Sequence, residues 1–308
     1  MDEKRRRMQD AMTITHGAHR LLILEWLPPG EVRTGTQLAE RLLSSQHGTI
    51  PIRVVLCNSA SDVLENIEVA AKEIETNGVP IIHIEAHGDD GTEYPRGLVG
   101  PGCSASFEIL EWSQLATSLR KLNLASGFDL LVVAAACFGD GIVLATRPFQ
   151  VAPFAACIGF VGRVNSSSLR EAMIALYTEL LVRGCSIEDA VAAANRELYD
   201  PSEKLSFIPL LYFVELVTAM MLASRASPES RFRRAVAIAA SLNIMGQPGM
   251  YAPVHHHGPM LDQKLVRRSL RTMLAYDQIP RNRERFQVHE EEIIREIRNH
   301  VTKLLTKT

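Results

Sequence analysis

Residues 128–141 read FDLLVVAAACFGDG: an apolar run, Phe128–Ala135, that gives way to Ala-Cys-Phe-Gly-Asp-Gly. A short, near-continuous apolar run closed by glycines predicts a strand buried on both faces, as in a parallel sheet. Similar runs lie on either side. Arg20–Trp26 (RLLILEW), Ile50–Cys57 (IPIRVVLC) and Val79–Ala86 (VPIIHIEA) predict three earlier strands, and Ala155–Val164 (AACIGFVGRV) a fifth. Helices are expected between and after them. Thr36–Ser45 carries Leu38, Leu42 and Leu43 at helical spacing, and Ser61–Glu75 presents Val63, Leu64, Ile67 and Ala71 as an inner stripe before Asn77-Gly78 stops it. Further helices are expected at Glu111–Leu122, Ser168–Arg183 and Ile187–Leu198, with a Gly/Pro-rich loop from Gly88 to about Phe107. Strands alternating with helices imply right-handed crossovers and an α/β fold, a mostly parallel sheet sandwiched by helices.

Beyond about Ser227 the pattern weakens. Gly246–Pro259 reads as a loop holding His255-His256-His257, and Leu261–Tyr276 and Val288–Leu305 as amphipathic helices. The expected organisation is a tail over 1–17, an α/β domain over 18–224 and a basic helical C-terminal region over 225–308.

The 308 residues are 46% hydrophobic and 22% charged, which excludes collagen-like, low-complexity and polytopic membrane chains. The longest apolar run, Phe207–Ala223, contains Pro209 and Glu215 and reads as core, so no membrane association is expected. The net charge of −2 is unevenly spread: residues 1–224 hold 18 basic and 27 acidic side chains, residues 225–308 hold 15 and 8. A basic segment behind an acidic body suits an anionic partner, nucleic acid included, but docking on that body or solvated helices is the expected reading. Five widely spaced cysteines with no CxxC pair form neither a disulfide framework nor a zinc site, and no apolar signal segment follows Lys4–Arg7, so the expected setting is cytoplasmic. No metal is expected at His255–His257, which lack a carboxylate or cysteine at ligand spacing. No cofactor is expected, since neither a GxGxxG nor a Walker sequence follows the first strand.

In a parallel sheet, ligands bind at the carboxyl ends of the strands. The third strand ends in Glu85-Ala86-His87-Gly88 and the fourth in Ala136-Cys137-Phe138-Gly139, so an imidazole and a thiol emerge at the same edge, 50 positions apart. A thiol becomes a strong nucleophile on losing its proton, which a nearby imidazole can accept. The adjoining glycines allow close approach of a substrate backbone, and the amides of Gly88 and Cys137 are the candidates for an oxyanion hole. His83, on the same strand face as Glu85 and His87, reads as a packed histidine bonded to a neighbour.

A strand ending in His-Gly, followed about 50 residues later by an apolar strand ending in Ala-Cys-x-Gly, resembles the caspase fold. The stretch PFAACIGFVGRVNSSSLREAMIALYTELLVRGCSIEDAVAAANREL narrows this, being similar to bacterial CHAT-type caspase-like proteases, and the resemblance covers residues 18–200. It implies a cysteine endopeptidase with a Cys137/His87 dyad. By analogy, the setting is a regulated bacterial antiviral defence or cell-death system, with a protein substrate such as a pore-forming gasdermin and a regulatory protein partner. Caspases carry Gln before Ala-Cys where this chain has Ala135, so their requirement for Asp at P1 is not carried over. An S1 pocket for Arg or Lys needs a carboxylate, and one for Asp needs arginines. Asp89, Asp90 and Asp140 lie closer to the dyad than Arg96 and Arg163, and favour Arg or Lys at P1. The long segment from Asp89 to Phe107 suits a lid. The alternative from another class is a caspase-like module that binds a peptide as a scaffold without cutting it.

Overall fold

Every residue of β3 (Val79–Glu85) is buried, as is every residue of β7 (Leu131–Ala135) and β8 (Ala156–Phe160). These strands form the middle of a six-stranded sheet whose outer members are β1 (Ala18–Glu25), β2 (Ile52–Leu56) and β9 (Leu205–Pro209), in the order β2-β1-β3-β7-β8-β9. All neighbours are parallel except β8 and β9. The result is a mostly parallel mixed sheet flanked by helices. The computed structural model describes residues 18–44, 50–89, 96–102, 106–147, 149–200, 202–209 and 263–285.

The helices are α1 (Thr34–Ser44), α2 (Ala60–Lys72), α3 (Trp112–Ala125), α4 (Ser166–Tyr177) and α5 (Ile187–Arg196). Local chemistry starts and stops them. Ser59, Asn165 and Ser186 each accept a backbone N–H of the first turn, from Asp62, Ser168 and Asp189. Glu111 and Gln114 close a capping box on α3. A short turn follows α2 and ends at Gly78, whose φ of +71° suits glycine. The buried stripe of α2 is Ala60, Val63, Ile67 and Ala70, one position off the expected stripe at Leu64 and Ala71.

Two elements differ from expectation. The segment after His87 is not a simple loop: β4 (His87–Gly88), β5 (Gly97–Pro101) and β6 (Phe107–Glu111) form an antiparallel three-stranded sheet. Its inner face holds the fully buried Leu98 and the nearly buried Leu110, paired across the strands. Trp26 docks it, donating Nε1–H to the Pro101 carbonyl at 2.9 Å under Gly100, where a Cβ would sit 2.3 Å from the indole. Within the expected lid, Asp89–Phe107, Gly97–Pro101 and Phe107 are therefore strand. The second difference is β9, which takes the first residues of the apolar Phe207 run as an antiparallel edge strand, with Pro209 at its end.

The chain divides into two compact units: His16–Ala145 with Pro153–Pro209, and Met1–Thr15, Thr146–Ala152 and Leu210–Thr308. The expected domain boundary at 224 falls in residues 210–262, outside the described residues. In the second unit, α6 (Gln263–Met273) matches the helix expected over 261–276. Its C-terminal turn is held by an Arg271–Asp277 ion pair at 2.9 Å, by Asn282 Nδ2 donating to the Leu274 carbonyl, and by the Arg283 guanidinium over the Tyr276 ring. The histidine run and the helix expected over 288–305 lie outside the described residues. Among the described residues no helix is long and apolar enough to cross a membrane, and no group of three His, Cys, Asp or Glu side chains is arranged to hold a metal.

Candidate functional site

The register of the two central strands builds the site. Glu85 pairs with Ala135 where β3 meets β7, so the residues two further along, His87 and Cys137, leave the sheet side by side. Gly88 lies directly on the backbone of Cys137: a Cβ there would sit 1.7 Å from the Cys137 carbonyl oxygen, so no larger residue fits without moving the chain. Beyond Cys137 the chain turns sharply. Phe138 takes a left-handed φ of +55°, donates its N–H to the Gly162 carbonyl, and leads into a 3₁₀ turn over Gly139–Ala145. The strain and the glycine at 139 hold Cys137 at the tip of its strand.

His87 and Cys137 line one open cavity of about 470 Å³. The thiol is free and half-buried, and its sulfur touches Val164, whose N–H donates to Sγ at 3.4 Å. His87 is about half exposed and its Nε2 lies 2.9 and 3.1 Å from the two carboxylate oxygens of Glu31. Glu31 follows Pro28-Pro29-Gly30, a tight turn closed by the Glu31 N–H on the Pro28 carbonyl, with Gly30 at φ +88°. Leu27, Val32, Ala86 and Leu169 add apolar lining.

A buried polar network underlies the cavity. Glu25 and Glu85, 0% and 1% exposed, point at the N-terminus of α1. Glu85 accepts from the Thr34 hydroxyl at 2.7 Å and the Gly35 N–H at 2.6 Å, while Glu25 accepts from the N–H groups of Gly35 and Thr36 and from the Thr36 hydroxyl. The two carboxylates thus satisfy the orphan donors of the helix start and complement its dipole. His83, fully buried, bridges Glu85 and the Tyr177 hydroxyl at 3.3 and 3.0 Å, which is the bonded, packed role expected for it. Burial, with the Glu85 charge second, pushes the Tyr177 hydroxyl well above its usual range, so it stays a donor.

The expected specificity residues are placed elsewhere. Asp140 is buried in the 3₁₀ turn and is not part of the cavity wall. Asp89 pairs with Arg96 at 2.7 Å and also stands off the wall, as does Arg163 beside Val164. Asp90 and Cys103 lie outside the described residues. Among the described residues, the carboxylates that line the cavity are Glu31 and Glu85, and no Arg or Lys lines it. The strand-end rule that selected His87 and Cys137 also pointed to the loop after the first strand, where Glu31 stands.

The other described thiols, Cys57, Cys157 and Cys185, are poor nucleophiles by environment. Burial, with Asp62 second, pushes Cys57 up to about 12; burial raises Cys157 well above its ordinary value; and a hydrogen bond from Cys185 to Glu179 raises that thiol. No protein-family model matches the chain, and no curated protein aligns with it significantly.

Proposed function

We propose that this protein is a caspase-like cysteine endopeptidase of the CHAT type, acting through Cys137 and His87 and cutting after Arg or Lys. The observation that carries the reading is the β3–β7 register, which brings the imidazole and the thiol to one cavity at the carboxyl edge of the sheet. A sheet in the order β2-β1-β3-β7-β8-β9 with an antiparallel last strand, and a small antiparallel sheet after β3, supports a caspase-like architecture.

Cys137 gives its proton to His87 and its sulfur adds to the scissile carbonyl carbon, with the amides of Gly88 and Cys137 facing the developing oxyanion. The amide C–N bond breaks as His87 returns that proton to the leaving amine. Water, deprotonated by His87, then cleaves the thioester, releasing the new carboxyl terminus and restoring the thiol. A cavity wall that carries Glu31 and Glu85 and, among the described residues, no Arg or Lys suits a cationic P1 side chain, and the carboxylate oxygens of Glu85 have acceptor capacity beyond their present partners. In a reducing cytoplasm such an enzyme would be a regulated defence or cell-death protease whose substrate is another protein.

The test is a positional-scanning library of peptidyl coumarylamides incubated with wild-type protein and Cys137→Ala. The expected result is turnover confined to Arg and Lys at P1, reduced at least about 10³-fold in Cys137→Ala. Turnover that survives the substitution overturns the nucleophile, and a preference for Asp overturns the P1 assignment.

A further inference from the structure

We propose that Glu31 completes the Cys137–His87 pair as a positioning residue, holding the imidazole through Nε2. The inference rests on the proteolytic reading and adds to it a third member that the motif alone did not contain. Three observations carry it. The carboxylate lies 2.9 Å from His87 Nε2, and both side chains border the cavity that holds the Cys137 sulfur. An imidazole has two nitrogens, so a carboxylate at Nε2 leaves Nδ1 as the one available to the thiol and to the leaving amine. It also stabilises the ring once protonated, which is the form that accompanies the thiolate.

The second observation is that Glu31 is held by built structure on both sides. Before it, the Pro29-Gly30 turn closes on the Glu31 N–H itself. After it, α1 begins at Thr34, and its first turn is pinned by the buried carboxylates of Glu25 and Glu85. A seven-residue connection from Leu27 to Arg33 is therefore anchored at each end, which limits the excursions of the carboxylate. The third is that the pair joins two separate strand ends, β1 and β3, 56 positions apart, rather than neighbours on one helix face.

Glu31 has two possible uses in this cavity, orienting His87 or receiving the cationic P1 side chain, and they leave different traces. An orienting residue acts on the chemical step, so its removal lowers kcat and slows the thiol even toward a reagent with no P1 group. A residue that only receives P1 changes KM and leaves the thiol alone.

The experiment uses full-length wild type, Glu31→Ala, Glu31→Gln and His87→Ala. Iodoacetamide labelling of Cys137 is read by peptide mass spectrometry, with Cys185 as internal control for an intact fold. A half-exposed carboxylate–imidazole contact supports a fall of about fivefold in the Cys137 rate for Glu31→Ala. His87→Ala is expected to fall at least as far, and Glu31→Gln, which keeps an acceptor for Nε2–H, to lie between. With a peptidyl-arginine coumarylamide, kcat is expected to follow the same order at nearly constant KM. An unchanged Cys137 rate in Glu31→Ala beside a slowed His87→Ala overturns the role of Glu31 and spares the dyad. An unchanged rate in both removes the dyad and this inference together. A raised KM with full kcat and full labelling assigns Glu31 to P1 recognition instead.

Discussion

Asp140 shows how a single residue near the site takes on a role its sequence position did not suggest. Three positions after Cys137, it is expected to face substrate, yet it is 2% exposed and its Oδ2 has no hydrogen-bond partner among the described residues. Burial outweighs the backbone N–H groups of Asp140 and Gly141 and raises its carboxyl from 3.8 to about 7. The folded protein therefore holds a proton that the unfolded chain releases. Its contribution is fully present below pH 4, is lost as pH rises to about 7, and changes no further above that. Asp140→Asn carries no such proton, so it should gain stability over wild type across this window, by about 4 kcal/mol at most, and the gap should then level off. Urea midpoints at pH 4, 5.5, 7 and 8 measure this, and a gap independent of pH would refute it.

At the scale of elements, the start of α1 is the joint on which the cavity depends. Helix starts are usually capped by a residue of their own chain segment, but here the capping groups come from the strands, Glu25 on β1 and Glu85 on β3. Glu85→Ala leaves the Thr34 hydroxyl and the His83 ring without their acceptor beneath the cavity. Each buried orphan costs about 1–3 kcal/mol, so a loss of roughly 2–6 kcal/mol is expected in denaturant unfolding. A loss below about 0.5 kcal/mol would mean that water or another side chain replaces the carboxylate. The small sheet of β4, β5 and β6 is the other element the site needs, because β4 is His87–Gly88 itself and its pairing with β5 orients both residues.

For the molecule as a whole, the sheet order sets a gradient of protection. β3 and β7 have neighbours on both sides and no exposed residue, whereas β2 is an edge strand with Arg53 and Leu56 exposed. Amides of Val79–Glu85 and Leu131–Ala135 should exchange slowest in native-state hydrogen exchange, and those of Ile52–Leu56 at least about tenfold faster. Equal protection across the three strands would contradict the order. The strands that lead to His87 and Cys137 are both fully buried in the middle of the sheet, so the two residues project from an enclosed part of the fold, which suits the preorganisation that the proposed pair needs.

The five parallel strands, the helices between them and the emergence of His87 and Cys137 at one edge were legible in the chain, because each depends on local quantities. Run length, apolar content, caps and the direction of a parallel strand are all written within about fifteen residues. The small sheet was not legible, since Leu98 lies among glycines and a proline that locally favour a loop, and its buried partner Leu110 is twelve residues away. Nor was the antiparallel turn of β9, which the pairing of Leu205 with Phe160 decides. The cavity carboxylates escaped for the same reason: nearness in sequence favoured Asp89, Asp90 and Asp140, whereas nearness in space selected Glu31 and Glu85. Sequence alone determined that His87 and Cys137 close neighbouring strands at one edge of the sheet; tertiary structure decided their company, because cross-strand register and burial are set by partners many tens of residues away.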